Sequence, residues 1–488
     1  MAKAIIIGAG IGGIATAIRL ARKGYQVDLF EANDYIGGKL STFRLGDYRF
    51  DAGPSLFTMP QFVDELFELC GERPEEFFQY KRKDIACTYY WEDGVRLTAY
   101  GDTTKFVQEV EQKLGVSSTK LNRYLTRAKK KFDRTRALFL ERSLHKWNTF
   151  LRKETLVGIA RYFSFEIDST LNQVNQKQLA EPHLVQFYNR FATYNGSNPY
   201  KTPGMMTLVQ HLEQFYGTYI PHKGMGEISK SLCELAKRQG VQVYLNQRVD
   251  KIVIENKTAV GVVANDKMHR ADLIVSNMDV VPTYRKLLPD QMQPEKILSQ
   301  ERSSSAVIFY WGIGKSFPQL DLHNIFFSDD YKAEFDAIFK TKTLFEDPTV
   351  YVNITSKDVP TDAPAGKENW FVMVNAPHDT GQDWKELSIA LRKWVIQKLN
   401  RALDVDIAPL IEEEWIMTPD VIEARTQSYL GALYGASSNN KMAAFMRHPN
   451  FSKQLTNLYF CGGSVHPGGG IPLCLLSAKI VADLTPIA

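Results

Sequence analysis

Apolar residues change period several times along this chain, and the changes mark its elements. Lys3-Ala-Ile-Ile-Ile7 contains a short unbroken apolar run, suited to a strand buried on both faces. Residues 14–22 repeat at helical spacing, Gly24 can close that helix, and 27–30 is a second buried-strand run. Alternation predicts a hairpin over 40–45 and 48–51, and another over 87–91 and 95–98 around Asp93-Gly94. Helical, aromatic-rich patterns occupy 123–220. A helix to Gln239 then leads into strands at 241–245, 248–254, 259–264 and 271–277, so that the first sheet resumes after a long insertion. A second insertion carries strands at 306–311, 350–355 and 370–375 and a helix over 384–403. The last part reads as a strand running into Gly462-Gly463 and a helix over 475–484. The whole is an α/β pattern with two insertions.

The first turn carries chemistry. Gly8-Ala-Gly10-Ile-Gly12-Gly13 lies between strand and helix, and Glu31 ends the second strand 23 residues after Gly8. Gly8 allows the turn, Gly10 lets the backbone approach a pyrophosphate, and Gly13 lets helix pack on strand. The free N–H groups of the helix start receive phosphates, and Glu31 accepts from a ribose hydroxyl. This is a dinucleotide fingerprint, with an unliganded glycine-rich turn as the plainer alternative. Gly37-Gly38 and Lys39 follow closely and suit a second backbone approach to an extended FAD; they also suit an ordinary loop before a hairpin. Asp51-Ala-Gly53-Pro54-Ser55 forms a tight turn past which a flat ring could lie. A second run, Pro221-His-Lys-Gly224-Met-Gly226-Glu227-Ile-Ser229, misses the fingerprint: Ser229 replaces its third glycine, and Pro221 sits where a strand should end.

Composition narrows the classes. With 488 residues, 44% hydrophobic, the chain can hold two or three cores. No apolar run reaches the roughly 18 residues of a spanning helix, and the first strand begins too early for a signal peptide. Five scattered cysteines form no C-x-x-C and fit buried thiols in a reducing cytoplasm, and no metal-ligand spacing appears. The net charge of +4 gives no argument for nucleic acid. It is unevenly spread: residues 123–161 hold twelve Lys or Arg against three acids, a net of +9, interleaved with large apolar residues such as Trp147. That mixture describes either a helix lying in a membrane interface through Lys129, Lys130, Lys131, Arg134, Arg136 and Trp147, or the solvated basic face of a core-packed helix.

Gly37-Gly38-Lys39, Gly53-Pro54, Pro221 to Met225, Ser276-Asn277-Met-Asp279 and Leu458-Tyr-Phe-Cys-Gly-Gly-Ser-Val-His-Pro-Gly-Gly-Gly-Ile-Pro472, taken together, make the chain resemble the bacterial phytoene desaturase family of carotenoid desaturases, among the amine-oxidase-like flavoproteins. Asp51-Ala-Gly-Pro-Ser-Leu-Phe-Thr-Met59 looks most like the 1-hydroxycarotenoid 3,4-desaturase branch. The chain departs from the family in having Lys39 where Arg is frequent, and Leu473-Cys474 where a smaller residue often follows the proline. The resemblance implies a Rossmann-like FAD-binding domain of residues 1–85, 221–285 and 431–488, and an α+β substrate domain with a helical lid from 86–220 and 286–430. It implies non-covalent FAD, its adenosine near Glu31 and Val249 and its pyrophosphate on Gly8, Gly10, Gly12, Gly13, Gly38 and Lys39. Gly462 and Gly463 would follow the ribityl chain, and Gly53, Pro54, Gly470, Ile471 and Pro472 would lie near the ring.

The implied reaction moves hydride from a carbon beside a polyene to flavin N5. No catalytic base is evident; His466 is either that base or a satisfied turn histidine. Oxygen or a quinone would reoxidise the flavin, since no second complete fingerprint offers a nicotinamide site. A long apolar carotenoid resides in lipid, so the protein is expected in the cytoplasm, held peripherally on the inner face of the cell membrane. Phytoene desaturation, amine oxidation and a Rab GDP-dissociation-inhibitor-like lipid carrier without flavin are the competing readings.

Overall fold

The computed structural model describes residues 2–136, 145, 165–440 and 446–488. The first predicted strand, β1 (Lys3–Ile7), lies centrally in a five-stranded parallel sheet. Its neighbours are β2 (Gln26–Phe30) and β13 (Leu273–Ser276), with β9 (Gln242–Tyr244) and β19 (Leu458–Phe460) at the edges. Ala4 and Ile6 enter one core while Ile5, Ile7 and Phe30 enter another on the opposite face. Burial on both faces explains why this strand reads as an unbroken apolar run rather than an alternation. The first helix, Ile11–Arg22, covers one face together with helices Gly226–Arg238 and Ile471–Leu484. The meander β10 (Val249–Glu255), β11 (Thr258–Ala264) and β12 (Lys267–Arg270) packs on the other face.

A seven-stranded mixed sheet forms the second layer system, in the order β18-β14-β17-β16-β15-β6-β7. These strands are β6 (Ile85–Tyr90), β7 (Arg96–Tyr100), β14 (Ser305–Ile313), β15 (His323–Phe326), β16 (Val350–Asn353), β17 (Glu368–Ala376) and β18 (Ile411–Met417). Along β14 the side chains alternate between two cores: Val307, Phe309, Trp311 and Ile313 against the Trp384–Leu403 helix, and Ala306, Ile308 and Tyr310 toward the hairpin β3 (Thr42–Leu45) and β4 (Tyr48–Asp51). The ribbon of β5 (Tyr80–Arg82) and β8 (Tyr219–Pro221) joins the two parts. Pro221 therefore does end a strand, at an edge where its missing N–H costs no ladder bond.

The basic segment is helical over Ser118–Thr135. Leu121, Tyr124, Ala128, Phe132 and Thr135 are buried at helical spacing, and Lys131 is buried with them, at 6% exposure. Its ammonium is paired with Glu166 and donates to Thr207 Oγ1 at 2.8 Å. Lys131 thus cannot meet a membrane, a correction that follows from its position on the apolar face of the helix. Lys129, Lys130 and Arg134 point outward. Arg136 is half-buried and donates to Tyr216 Oη at 3.2 Å. Trp147 and most of 137–164 lie outside the described residues.

Candidate functional site

The Gly8 turn is built by its neighbours as much as by itself. Gly8 has φ +95°, open to glycine, and a Cβ on Gly13 would stand 2.1 Å from the Gly8 carbonyl oxygen. Gly13 is thus the packing glycine. Cβ atoms on Gly10 or Gly12 would come within 2.6 and 2.8 Å of the Asn277 side-chain amide, and Gly12 also faces the backbone of Gly462. Asn277, just past β13, is the platform for this turn, and the sequence reasoning missed its role. Gly10 begins the helix with no side-chain cap and no acid in the first turn, so the N–H groups there remain available to a ligand.

Glu31 is buried. Its Oε2 accepts from Ala9 N at 2.8 Å, and its Oε1 accepts from Asn33 N at 2.9 Å and Asn33 Nδ2 at 3.0 Å. The carboxylate thus braces the turn as well as bordering the cavity, with lone pairs left for a ribose hydroxyl. Gly37 N donates to Ala9 O at 2.8 Å, which lays the second glycine pair directly against the first. Lys39 donates to Leu433 O at 2.8 Å. Burial lowers its pKa to about 8, against the opposing pull of Asp279. Arg447 is buried, its pKa pulled down to about 10, and Arg302 pairs with Asp279 at 2.5 Å while its Nε has no hydrogen-bond partner among the described residues. Two buried arginines and the half-buried Lys39 around one carboxylate leave excess positive charge, which suits a diphosphate.

One cavity of about 710 Å³ gathers these parts. Gly8, Gly10, Gly12, Glu31, Gly38, Lys39, Gly53, Pro54, Val249, Gly462, Gly463, Gly470, Ile471 and Pro472 all line it, while Gly13 lies behind the wall. The helix Ile471–Leu484 opens onto it at Gly470, again without a side-chain cap. It begins four residues before the predicted start, because Pro472 occupies the first turn, where a proline's missing N–H is not needed. His466 borders the cavity, is buried, and stacks edge-on to His145.

Beyond the cradle the cavity continues between the seven-stranded sheet and a helical layer. Ile308, Ile325, Phe371 and Met373 line one side, and Met205, Leu208, Val209 and Leu212 the other. Walls of this kind hold a long apolar molecule and exclude water. Arg136 borders this chamber too, away from the outward basic face.

A family model described as flavin containing amine oxidoreductase matches residues 11–485. The chain is 55% identical over 486 residues to the 1-hydroxycarotenoid 3,4-desaturase of a Flavobacterium species, covering 100% of this chain and 99% of that one. It is 33% identical over 491 residues to the 4,4'-diapolycopene oxygenase of a Methylomonas species, covering 99% and 97%. Among solved structures, an oxidoreductase from Methanosarcina mazei superposes with TM-score 0.64 over 99% of this chain and 100% of that one at 16% identity, a likeness of fold. The chain therefore belongs to the flavin containing amine oxidoreductases and, within them, to the carotenoid desaturases: it is a flavin-dependent oxidoreductase.

Proposed function

We propose that this protein is an FAD-dependent 1-hydroxycarotenoid 3,4-desaturase, binding FAD without a covalent link. The observation that carries the reading is the continuity of the cavity from the paired glycine cradle into an apolar chamber. Residues 1–85, 221–285 and 431–488 would act as the cofactor domain, and 86–220 with 286–430 as the substrate domain. Gly10, Gly12 and the helix N-terminus would hold the diphosphate, and Lys39 and Arg447, which border the cavity, would neutralise it. Bound flavin supplies an acceptor for hydride from a carbon beside the polyene. The chain's own task is to align the substrate and keep water away from the developing charge, and the apolar walls suit it.

The substrate reaches the protein from lipid, since at about 0.8 kcal/mol per methylene a forty-carbon chain leaves a bilayer very slowly. The outward Lys129, Lys130 and Arg134, with Lys129 over the exposed ring of Phe215, support docking on an anionic inner leaflet. Among the described residues no helix is long and apolar enough to cross a membrane. Oxygen or a quinone accepts the electrons. Flavin-loaded protein in anionic liposomes should redden a 1-hydroxylated carotenoid by extending its conjugation. Conversion of phytoene alone would overturn the branch assignment in favour of phytoene desaturation.

A further inference from the structure

The apolar chamber contains polar groups that the cofactor cradle does not use. β15 and β16 are antiparallel neighbours, with His323 opposite Asn353 and Ile325 opposite Tyr351. Tyr351 Oη lies 2.7 Å from His323 Nδ1 and 2.8 Å from Ser55 Oγ, one residue past Pro54. Asn353 Nδ2 donates to Leu322 O at 3.0 Å, which fixes its amide, and lies 3.2 Å from the same Nδ1. An amide nitrogen only donates, so Nδ1 is the acceptor and a neutral ring carries its proton on Nε2. Burial holds the ring neutral, with its pKa lowered to about 3. His323 is 3% exposed, yet its Nε2 has no hydrogen-bond partner among the described residues.

A second cluster borders the same cavity. Arg190 donates to Tyr89 Oη at 2.5 Å and Tyr194 Oη at 3.1 Å, with Glu213 Oε2 at 3.5 Å. Glu213 Oε1 is buried without a hydrogen-bond partner among the described residues, as is Arg190 Nε. The charge of Arg190 bears on both His323 and Tyr351, so the two clusters share one electrostatic neighbourhood. Buried donors and acceptors left open are rare, and a pure hydrocarbon would satisfy none of them. An alcohol can satisfy two: its oxygen accepts from an N–H and its proton goes to a carboxyl oxygen.

We propose that His323, held by Tyr351 and Ser55, forms with Glu213 and Arg190 on the same cavity wall a socket for the substrate's hydroxyl group and selects hydroxylated ends over hydrocarbon ones. The proposal rests on the desaturase reading, which also explains the socket's place. The C1 hydroxyl is only two carbons from C3, so the group that reads it must stand beside the reacting end, near the Gly53-Pro54 turn that Ser55 extends.

The test compares two polyenes identical except for the hydroxyl, with wild type, His323→Leu and Tyr351→Phe, all flavin-loaded. Conversion gives kcat/KM, and quenching of tryptophan fluorescence gives binding. Tyr351→Phe removes a single oxygen, so it keeps the test decisive should His323→Leu fold poorly. Wild type should prefer the hydroxylated polyene, and the variants should lose that preference by about tenfold or more. A preference within about twofold of wild type in Tyr351→Phe and in folded His323→Leu overturns the socket. If wild type converts neither polyene yet binds the hydroxylated one more tightly, and the variants lose that difference, the desaturase reading falls and the socket stands. Equal binding of both polyenes by wild type overturns the socket whatever the chemistry.

Discussion

Asp51 shows how much one side chain can decide. Its Oδ2 accepts from Met225 N and its Oδ1 from Gly226 N, both at 2.9 Å, and Oδ1 also meets Arg49 at 2.8 Å. The helix start that almost repeats the dinucleotide fingerprint is therefore occupied by the chain's own carboxylate, from 174 residues earlier. The near-miss was legible in Pro221 to Ser229, but its anion was not, because nothing local links Asp51 to it. Asp51→Ala should destabilise the protein by about 2 kcal/mol, read as a lowered thermal midpoint, since it leaves two N–H groups without their acceptor and takes one of the two carboxylates of Arg49, which keeps Asp362. At the first turn, Gly13→Ala has no room to relax against the Gly8 carbonyl. Purified Gly13→Ala should lack the visible absorbance of bound flavin. Lys39 makes binding depend on pH. With its pKa lowered from 10.5 to about 8, the unfolded chain binds more protons than the flavin-free native state between those values. Stability of the flavin-free protein then rises with pH across that window. A diphosphate favours the charged ammonium, so loading takes up a proton above about pH 8, and affinity should fall by up to about tenfold per unit. Flavin titrations at successive pH values check this slope, which Lys39→Met should flatten.

At the scale of elements, the helix Ser118–Thr135 separates charges that sequence alone had grouped. Lys129, Lys130 and Lys131 are consecutive, yet a 100° turn per residue sends Lys131 to the core and leaves the other two outside. Lys129→Glu with Lys130→Glu should weaken cosedimentation with anionic liposomes by at least about tenfold, at roughly 1 kcal/mol per basic residue near the surface. High salt should do the same to wild type. Lys131→Glu should instead lower stability, because it sets a second carboxylate against Glu166 inside the protein. Long elements were readable: β14 and β17 are long apolar runs, and the helix Trp384–Leu403 is capped by Asp383, which accepts from Lys385 N and Glu386 N. Strands β15 and β18 were not. β15 is only His-Asn-Ile-Phe, and β18 is an edge strand whose run of three glutamates hides its alternation. Missing β15 meant missing His323, since the site residues there are assembled by strand pairing and not by spacing along the chain.

For the molecule as a whole, the glycine motifs were legible because each depends on local geometry, while Asn277 and the Arg302–Asp279 pair needed the sheet to bring them in. The cradle draws its two halves from opposite ends of the sequence. Gly12 faces Gly462, the helices Ile11–Arg22 and Ile471–Leu484 pack together, and Lys23 Nζ donates to Ala482 O at 2.6 Å. A ribosome making this chain therefore releases almost all of it before the cofactor has anywhere to sit. Flavin uptake has to wait for the helix Ile471–Leu484, and a stop codon ahead of Ile471 should yield a colourless product however well the seven-stranded sheet has formed, which an absorbance spectrum of the truncated chain would reveal. Flavin absorbance of the purified protein then counts the chains that carry this helix.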